Sequence, residues 1–214
     1  MVDVGYQRRL VLMVREPRLG KVKSRLAKST GNLAAAHWYR RNCARIIGRI
    51  GVDDRWQTFL AVTPDNGDAH DNIWPSALPR IPQGSGSLGD RMVKAFRQLP
   101  PGPSILIGSD VPGITAVHIA RAFRVLVSHE VVFGPSPDGG YWLVGLKRTR
   151  AIPAGFLAGV RWSSEHALED SVSSVSALRV GFADILSDVD TLEEMSSAWS
   201  GSRFPDRSLE GLSG

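Results

Sequence analysis

The sequence contains little cysteine and no long apolar run. Cys43 is the only cysteine among the 214 residues, which excludes a disulfide within the chain. No apolar stretch approaches the ~18 residues that cross a membrane. The first apolar run follows Arg8 and Arg9, and no signal-peptide cleavage site comes after it. We therefore expect a cytoplasmic protein without a membrane span.

Motifs for zinc binding and for serine hydrolysis are also missing. The five histidines are scattered, without the spacing of a metal site. No G-x-S-x-G segment is present to support a hydrolytic triad. Cys43 falls on the apolar face of a helical pattern, which is typical of a core residue. The sequence therefore gives no support for a zinc enzyme or for a serine hydrolase.

Acidic residues are scarce at the N-terminal end. Residues 1–50 hold 12 Lys or Arg and only Asp3 and Glu16, a net charge of +10. The whole chain carries +5, so the remaining 164 residues sum to −5. A basic end on an acidic body suggests one anionic ligand held locally. Nucleic acid is disfavoured, because no aromatic residue interleaves with the six cations of residues 13–28.

Apolar runs and helical periodicities alternate along the chain, and this alternation argues an α/β sandwich with a mainly parallel sheet. We expect one domain over residues 1–200 and a loose tail over 201–214. The predicted strands are 8–14, 56–63, 104–110, 130–136, 139–146 and 178–182. The predicted helices are 32–50, 87–99, 115–127, 163–175 and 191–199.

Ligands of such folds bind at the carboxyl ends of the strands, which selects residues 15–25, 108–112 and 134–140. The first of these loops is not a Walker A motif. Arg15 stands where its first glycine belongs, and Val22 stands where Ser or Thr should follow the lysine. A strand-to-helix loop with Gly20 and cations still suits phosphate, although a solvated basic loop is an equal alternative.

A second glycine-rich segment matches the dinucleotide fingerprint G-x-G-x-x-G with Gly84, Gly86 and Gly89. The fingerprint should follow a buried apolar strand, whereas the ten residues before it hold three prolines. A turn that touches a nucleotide or a sugar is therefore favoured over a Rossmann site, and a purely structural loop is nearly as probable an interpretation.

Three carboxylate positions follow apolar segments. Asp110 comes directly after a buried strand and is suited to Mg²⁺, which takes one or two carboxylates plus substrate phosphates. It lies too far from Thr115 to cap the next helix. Asp138 precedes two glycines and could form either a turn or a ligand contact. Asp188 and Asp190 could share one ion, but helix capping is the more economical interpretation.

Six segments occur in order over residues 9–199 and resemble a known family: "LVLMVREPRLGKVKSRLA", "QGSGSLGDRMVKAF", "ILIGSDVPGIT", "VVFGPSPDGGYWLVGL", "GVRWSS" and "DVDTLEE". They are similar to bacterial glycosyltransferase-like proteins of the nucleotide-diphospho-sugar transferase superfamily, of the kind assigned to arsenosugar biosynthesis. Molybdopterin and phospholactate guanylyltransferases are more distant relatives. The resemblance implies a GT-A fold, a three-layer α/β/α sandwich.

The resemblance also implies the site. Asp110 and Asp190 would hold Mg²⁺ or Mn²⁺, and Lys23 and Arg25 would act with Asp110 on the diphosphate. Nucleotide contacts would come from Arg15, Pro17, Gly20, Lys23, Arg25, Gln83, Gly89 and Ser109. The sugar or acceptor would face Asp138, Gly139, Gly140 and Trp162.

This chain departs from the family pattern at a few positions. Arg15 stands where a lysine is usual, Ser24 where threonine is usual, and Leu192 where proline is usual. None of these changes removes a carboxylate, so metal binding is the safer inference. The implied reaction is glycosyl transfer from a nucleoside-diphosphate sugar to a small molecule. Nucleotidyl transfer from an NTP, a non-catalytic nucleotide-binding role and an NAD-dependent oxidoreductase are the alternatives.

Overall fold

The computed structural model describes residues 6–65 and 73–187, apart from the side chain of Arg25. This part of the chain forms one seven-stranded sheet with helices on both faces. The strands are β1 (Arg9–Arg15), β2 (Gln57–Thr63), β3 (Arg80–Pro82), β4 (Ser104–Ile107), β5 (Val131–Pro135), β6 (Tyr141–Leu146) and β7 (Val180–Phe182). The helices are α1 (Ser24–Thr30), α2 (Asn32–Ile50), α3 (Leu88–Gln98), α4 (Ala116–Ser128) and α5 (Ala167–Ser173).

The sheet is mixed but mainly parallel, with strand order β3-β2-β1-β4-β6-β5-β7. Only β6 runs antiparallel to its neighbours in the described sheet. The predicted α/β fold is therefore confirmed. The carboxyl ends of the other six strands and the start of β6 share one side of the sheet, which we call the carboxyl edge. The opposite side, where β1 and β4 begin and β6 ends, is the amino edge.

The alternating side chains of β1 divide the core into two layers. Leu10 and Leu12 pack in the cluster that includes α1, α2 and α4, whereas Val11 and Met13 pack in the cluster of α3 and α5. Successive strand residues point to opposite faces, so one apolar run fills both layers. Burying one such side chain contributes ~1.5–3 kcal/mol. The three-layer arrangement is thus a direct consequence of apolar strands covered on both sides.

Helix α3 begins as its sequence predicts. The Ser87 hydroxyl accepts a hydrogen bond from the Asp90 N–H at 3.2 Å, and the Asp90 carboxylate accepts one from the Ser87 N–H at 2.9 Å. This reciprocal capping box satisfies two N–H groups that the helix leaves unpaired. The Asp90 carboxylate also accepts a hydrogen bond from the Ser87 hydroxyl at 2.7 Å, and this bond, followed by that from the Ser87 N–H, lowers the pKa of Asp90.

Two short elements were not predicted. Helix α1 lies within and beyond the loop assigned to residues 15–25, and Gly31, with φ 84°, separates it from α2. Strand β3 lies in the proline-rich segment 64–82, at the edge of the sheet where Pro82 is tolerated. The predicted helix 191–199 and tail 201–214 lie outside the described residues. Across the described ranges, no helix has the length and apolar character needed to cross a bilayer.

Candidate functional site at the carboxyl edge

The loops after the two central strands meet at the carboxyl edge. Lys23 lies at the end of the loop after β1, and Asp110 lies in the loop after β4, the strand next to β1. The Lys23 Nζ atom is 2.9 Å from Asp110 Oδ1. The lysine side chain is 7% exposed and the aspartate side chain 49% exposed. The structure therefore brings together two residues that the sequence assigned to the site, with the carboxylate facing solvent.

The position of Lys23 is set by the start of α1. Lys23 is the residue before the helix and has a left-handed backbone, φ 47° and ψ 52°. Its ammonium also lies 5.7 Å from the ring centroid of Trp38 in α2, within the range of a cation–π contact. The ammonium is thus held between an aromatic face and a carboxylate.

Helix α2 ties the two loops to each other through Tyr39 and Asn42. The Tyr39 hydroxyl accepts a hydrogen bond from the Arg15 N–H at 2.8 Å and lies 3.0 Å from the Ser109 hydroxyl. The Asn42 amide donates to the Ser109 carbonyl at 2.8 Å. The backbone before Asp110 is fixed by these bonds, so a single helix positions both halves of the site.

Neither Tyr39 nor Asn42 was predicted as a site residue. The available signal was that both are polar residues on a helical face whose neighbours include Cys43 and Ile46, all of them buried. A polar side chain on such a face must find a hydrogen-bond partner inside the protein. The partner could not be named without the fold, because Ser109 is 67 residues away from Asn42.

Burial keeps the groups beneath the site neutral. It raises the pKa of Tyr39 well above its usual value, and it raises the pKa of the Cys43 thiol to about 12. Both groups therefore carry their protons at neutral pH. Tyr39 serves as a hydrogen-bonding bridge between the loops, and the charges at the site are those of Lys23 and Asp110.

The remaining residues of the first loop are more exposed. The Arg15 guanidinium donates to the Lys21 carbonyl at 3.2 Å, which closes the loop on itself. Gly20 has φ 69°, a backbone conformation that glycine adopts without strain. Pro17 is half-buried. Arg25 lies in α1, but its side chain is outside what the structure describes, so its phosphate contact stays a prediction.

Gln83 and Gly89 have packing roles in the structure. The Gln83 side-chain nitrogen donates to the carbonyls of Val14 and Ala61, at 2.9 and 2.7 Å, and the residue is 5% exposed. A Cβ on Gly89 would lie 2.8 Å from the Trp162 ring. These are the roles that the structure shows for the two residues. Their contacts with a nucleotide remain predictions.

The turn between β5 and β6 lies at the same edge. The Asp138 carboxylate accepts a hydrogen bond from the Gly140 N–H at 2.9 Å, and Gly139 has φ 83°. A side chain on Gly139 would overlap the backbone of Glu165. Asp138 thus forms a turn, which is one of the two roles that the sequence suggested. The residue is exposed, and the other role, contact with a ligand, remains a prediction.

Trp162 connects this turn to the glycine-rich segment. Its ring lies 6.3 Å from that of Tyr141, in an edge-to-face arrangement, and packs against Gly89. Tyr141 directly follows the Asp138-Gly139-Gly140 turn. The positions predicted for the nucleotide and for the acceptor are therefore neighbours at the start of α3.

A metal ion would find the carboxylate of Asp110 here. Asp110 Oδ1 contacts Lys23, and the side chain is half exposed, which leaves oxygen surface for a ligand. Across residues 6–65 and 73–187 no group of three or more His, Cys, Asp or Glu side chains could hold a metal. Asp190, predicted as the second ligand, and Asp188 lie outside the described residues. The arrangement fits a hard ion that takes one carboxylate and substrate phosphates.

A cavity of about 170 Å³ opens beside the ends of β2 and β3, and sequence reasoning missed it. Glu16 and Asp65 bring carboxylates to its wall, and Arg80 and Trp74 bring a guanidinium and an indole. Glu16 is only 6% exposed and lies 2.7 Å from the Arg18 guanidinium. Most of this wall comes from segment 64–82, whose sequence carries no periodic pattern.

Solved structures share this fold. A provisionally assigned nucleotide-diphospho-sugar transferase from Desulfovibrio desulfuricans G20 is 24% identical, with a TM-score of 0.83 over 93% of this chain and 89% of that one. Glucosyl-3-phosphoglycerate synthase from Mycobacterium tuberculosis, solved with Mn²⁺, UDP and glucosyl-3-phosphoglycerate, is 10% identical, with a TM-score of 0.54 over 92% and 77%. The inositol-1-phosphate CTP transferase from T. maritima is 11% identical, with a TM-score of 0.54 over 94% and 99%. These likenesses confirm the GT-A fold that the motifs implied.

A model of a protein family also matches the sequence. The family model described as an uncharacterized protein conserved in bacteria, DUF2064, matches residues 46–164, more than half of the chain. The chain belongs to this family. The matched span contains Asp110, Asp138 and Trp162, whereas Lys23 precedes it. No protein of curated function matches the sequence.

Proposed function

We propose that this chain is a metal-dependent transferase that moves a glycosyl group from a nucleoside-diphosphate sugar to a small-molecule acceptor. The pairing of Lys23 with Asp110 at 2.9 Å carries the proposal. A bound diphosphate needs a cation for its own oxygens and a carboxylate that retains a metal. The two central loops supply one of each.

The local charges suit this task. Lys23 is nearly buried, and an ammonium in such surroundings acts more strongly on a nearby phosphate than it would in water. The Asn42 amide holds the Ser109 carbonyl, and Lys23 contacts the Asp110 carboxylate, so the carboxylate is already positioned when a ligand arrives. Arg25 and Asp190 would add a second cation and a second carboxylate.

The reaction needs little covalent chemistry from the protein. An acceptor hydroxyl forms the new bond to the anomeric carbon, and the bond from that carbon to the diphosphate oxygen breaks. The nucleoside diphosphate leaves with the electron pair, the acceptor hydroxyl releases its proton to water, and Lys23 offsets part of the charge on the leaving group. When bound on Asp110, Mg²⁺ or Mn²⁺ supplies further positive charge to that leaving group.

The acceptor side would be formed by the Asp138-Gly139-Gly140 turn and by Trp162. The turn and the partly exposed indole lie at the carboxyl edge, next to the start of α3. An aromatic face provides a flat apolar surface for a sugar ring, and an exposed carboxylate can accept hydrogen bonds from its hydroxyls. Arg15, Pro17, Gly20, Gln83, Gly89 and Ser109 would surround the nucleotide.

Nucleotidyl transfer is the second candidate. The likeness to the inositol-1-phosphate CTP transferase over 94% of this chain supports it. A substrate phosphate would then form a bond to the α-phosphorus of an NTP, and pyrophosphate would leave. The same lysine and carboxylate would serve, because both reactions develop charge on a diphosphate.

A thermal-shift panel with Mn²⁺ separates these candidates. It compares UDP, GDP, UDP-sugars and GDP-sugars with GTP, CTP and NAD. A ligand at 100 times its Kd stabilises the fold by ~2.7 kcal/mol, which is about 5–10 °C for a chain of this size. We expect such a shift with a nucleoside diphosphate or its sugar, and we expect EDTA to remove it.

The other outcomes are equally informative. A shift only with a triphosphate would replace glycosyl by nucleotidyl transfer. A metal-independent shift with NAD would contradict both glycosyl transfer and nucleotidyl transfer. Binding of a nucleotide sugar that is never consumed, whatever acceptor is supplied, would favour a non-catalytic nucleotide-binding protein.

A further inference from the structure

A second concavity lies at the amino edge, on the far side of the sheet from Asp110. It encloses about 540 Å³ and is lined by Arg97, Arg148 and Arg150, with Thr149 and Ile152 beside them. Arg97 belongs to the last turn of α3, and the other residues follow the end of β6. Three arginines from two segments thus line one concavity.

Arg148 is anchored rather than mobile. Its guanidinium donates to the carbonyls of Leu99 and Pro100, each at 3.1 Å, while its Nε atom is buried and has no hydrogen-bond partner within the described residues. Its backbone has φ 49°, which few residues other than glycine adopt. A guanidinium held in this way presents its remaining donors in a fixed orientation.

Arg9 lies behind Arg148 and adds a further cation. It is 7% exposed, donates to the carbonyls of Gln7 and Pro101, and also has a buried Nε atom with no partner in the described chain. Burial lowers the pKa of both arginines, and the charge of Arg9 lowers that of Arg148 further. Two like charges therefore face each other in a poorly solvated place.

No carboxylate offsets this charge in residues 6–65 and 73–187. Within the described residues the Arg9 and Arg148 guanidinium groups donate only to backbone carbonyls, and the exposed Arg97 and Arg150 form no hydrogen bond or ion pair there. Elsewhere in the molecule exposed arginines do find carboxylates, as Arg161 finds Asp170 at 2.8 Å. Holding the turn at residues 99–101 would require only Arg9 and Arg148 and leaves Arg97 and Arg150 unexplained.

We propose that this concavity is an anion site that binds a small phosphate-bearing molecule. Arginine presents a planar fork of donors that matches phosphate oxygens, and several forks can share one phosphate. The volume falls within the ~300–1,000 Å³ of small-molecule sites. Among the described residues that line the concavity none is aromatic and able to stack on a base, so single-stranded nucleic acid is the poorer ligand.

The site is separate from the proposed transferase centre. Strand β4 runs from the amino edge to the loop that carries Asp110, so the two sites lie at opposite ends of the central strands. Its ligand needs no divalent metal, because the arginines supply the charge. EDTA therefore removes metal-dependent binding at the carboxyl edge, and the arginine variants separate binding at this site from any phosphate binding that remains there.

The test is calorimetric titration of the full chain with inorganic phosphate and with glucose 6-phosphate, in EDTA at constant ionic strength. We expect saturable binding of at least one of them. The double variant Arg97→Gln/Arg150→Gln should weaken the Kd at least ~30-fold, because it removes two charged donors. Both residues are exposed, so the variant should unfold at the same temperature as the wild type.

The matched control is Arg40→Gln/Arg124→Gln, which removes two exposed helical arginines elsewhere and changes the net charge equally. It should bind like the wild type. Tighter binding of the sugar phosphate would identify an organic phosphate as the ligand, and equal binding would identify the phosphate group alone; both support the site. Absence of saturable binding, equal loss in the control, or binding only of a polyglutamate peptide or an oligonucleotide would overturn the proposal.

Discussion

The two edges of the sheet hold positive charge in opposite ways. At the carboxyl edge the Lys23 ammonium lies 2.9 Å from Asp110. At the amino edge Arg148 has Arg9 as its charged neighbour, and in the described chain neither forms an ion pair with a carboxylate. Under our two proposals the first edge holds a metal and a phosphate together, whereas the second binds an anion by itself.

The difference shows why a count of charges could not locate the sites. Lys23 and Arg9 both belong to the basic first 50 residues, but they lie at opposite edges of the sheet. Arg9 is the first residue of β1, and Lys23 follows the end of that strand. Seven residues of strand span roughly 20 Å. One basic stretch therefore contributes to two separate anion-attracting regions, and the net charge of +10 is not a single patch.

The largest effect on the free energy of unfolding is expected at the carboxyl edge, when the buried amide of Gln83 is removed. Gln83→Met removes two buried hydrogen bonds, although the Val14 and Ala61 carbonyls also lie in the β1–β2 ladder. Because each such hydrogen bond contributes ~0.5–1.5 kcal/mol, we expect a loss of about 1–3 kcal/mol in the free energy of unfolding. Urea denaturation would measure it.

The control for this variant is Gln98→Met. Gln98 also donates to two backbone carbonyls, of Pro82 and Lys94, but it is exposed, so water can replace it. A loss below ~1 kcal/mol is expected there. Equal losses for the two glutamines would show that burial does not set the importance of Gln83.

A smaller effect is expected at the amino edge. Arg148→Met removes two hydrogen bonds to carbonyls but also relieves the burial of a charge and its repulsion from Arg9. These contributions have opposite signs, so the free energy of unfolding should change by less than about 1 kcal/mol. A loss as large as that of Gln83→Met would mean that the arginines of this edge are structural, and the contrast between the edges would disappear.

Much of the fold was readable from the sequence because its signals are local. Helix α2 was predicted at residues 32–50, and it begins and ends at those residues in the structure. The prediction was possible because its apolar positions recur with helical spacing. Strands β1 and β2 are apolar runs that differ by one residue from their predicted starts. Helix α1 was missed because its seven residues offer too little periodicity.

The site was readable only in part. Asp110 and Lys23 were named from their places after strands and from family resemblance, and the structure joins them. The supporting roles of Tyr39 and Asn42 depend on pairing with a loop almost 70 residues away, which no local pattern encodes. The same holds for Arg148, whose partners lie 48 and 49 residues earlier.

The account depends most directly on the carboxylate of Asp110. Calorimetric titration of UDP in the presence of Mn²⁺ should compare the wild type with Asp110→Asn and with Asp54→Asn, a matched change at an exposed aspartate. We expect Asp110→Asn to weaken metal-dependent binding at least ~100-fold, or about 2.8 kcal/mol, while Asp54→Asn binds normally. Asp110→Asn binding UDP and Mn²⁺ as tightly as the wild type would contradict the assignment of this edge as the nucleotide and metal site.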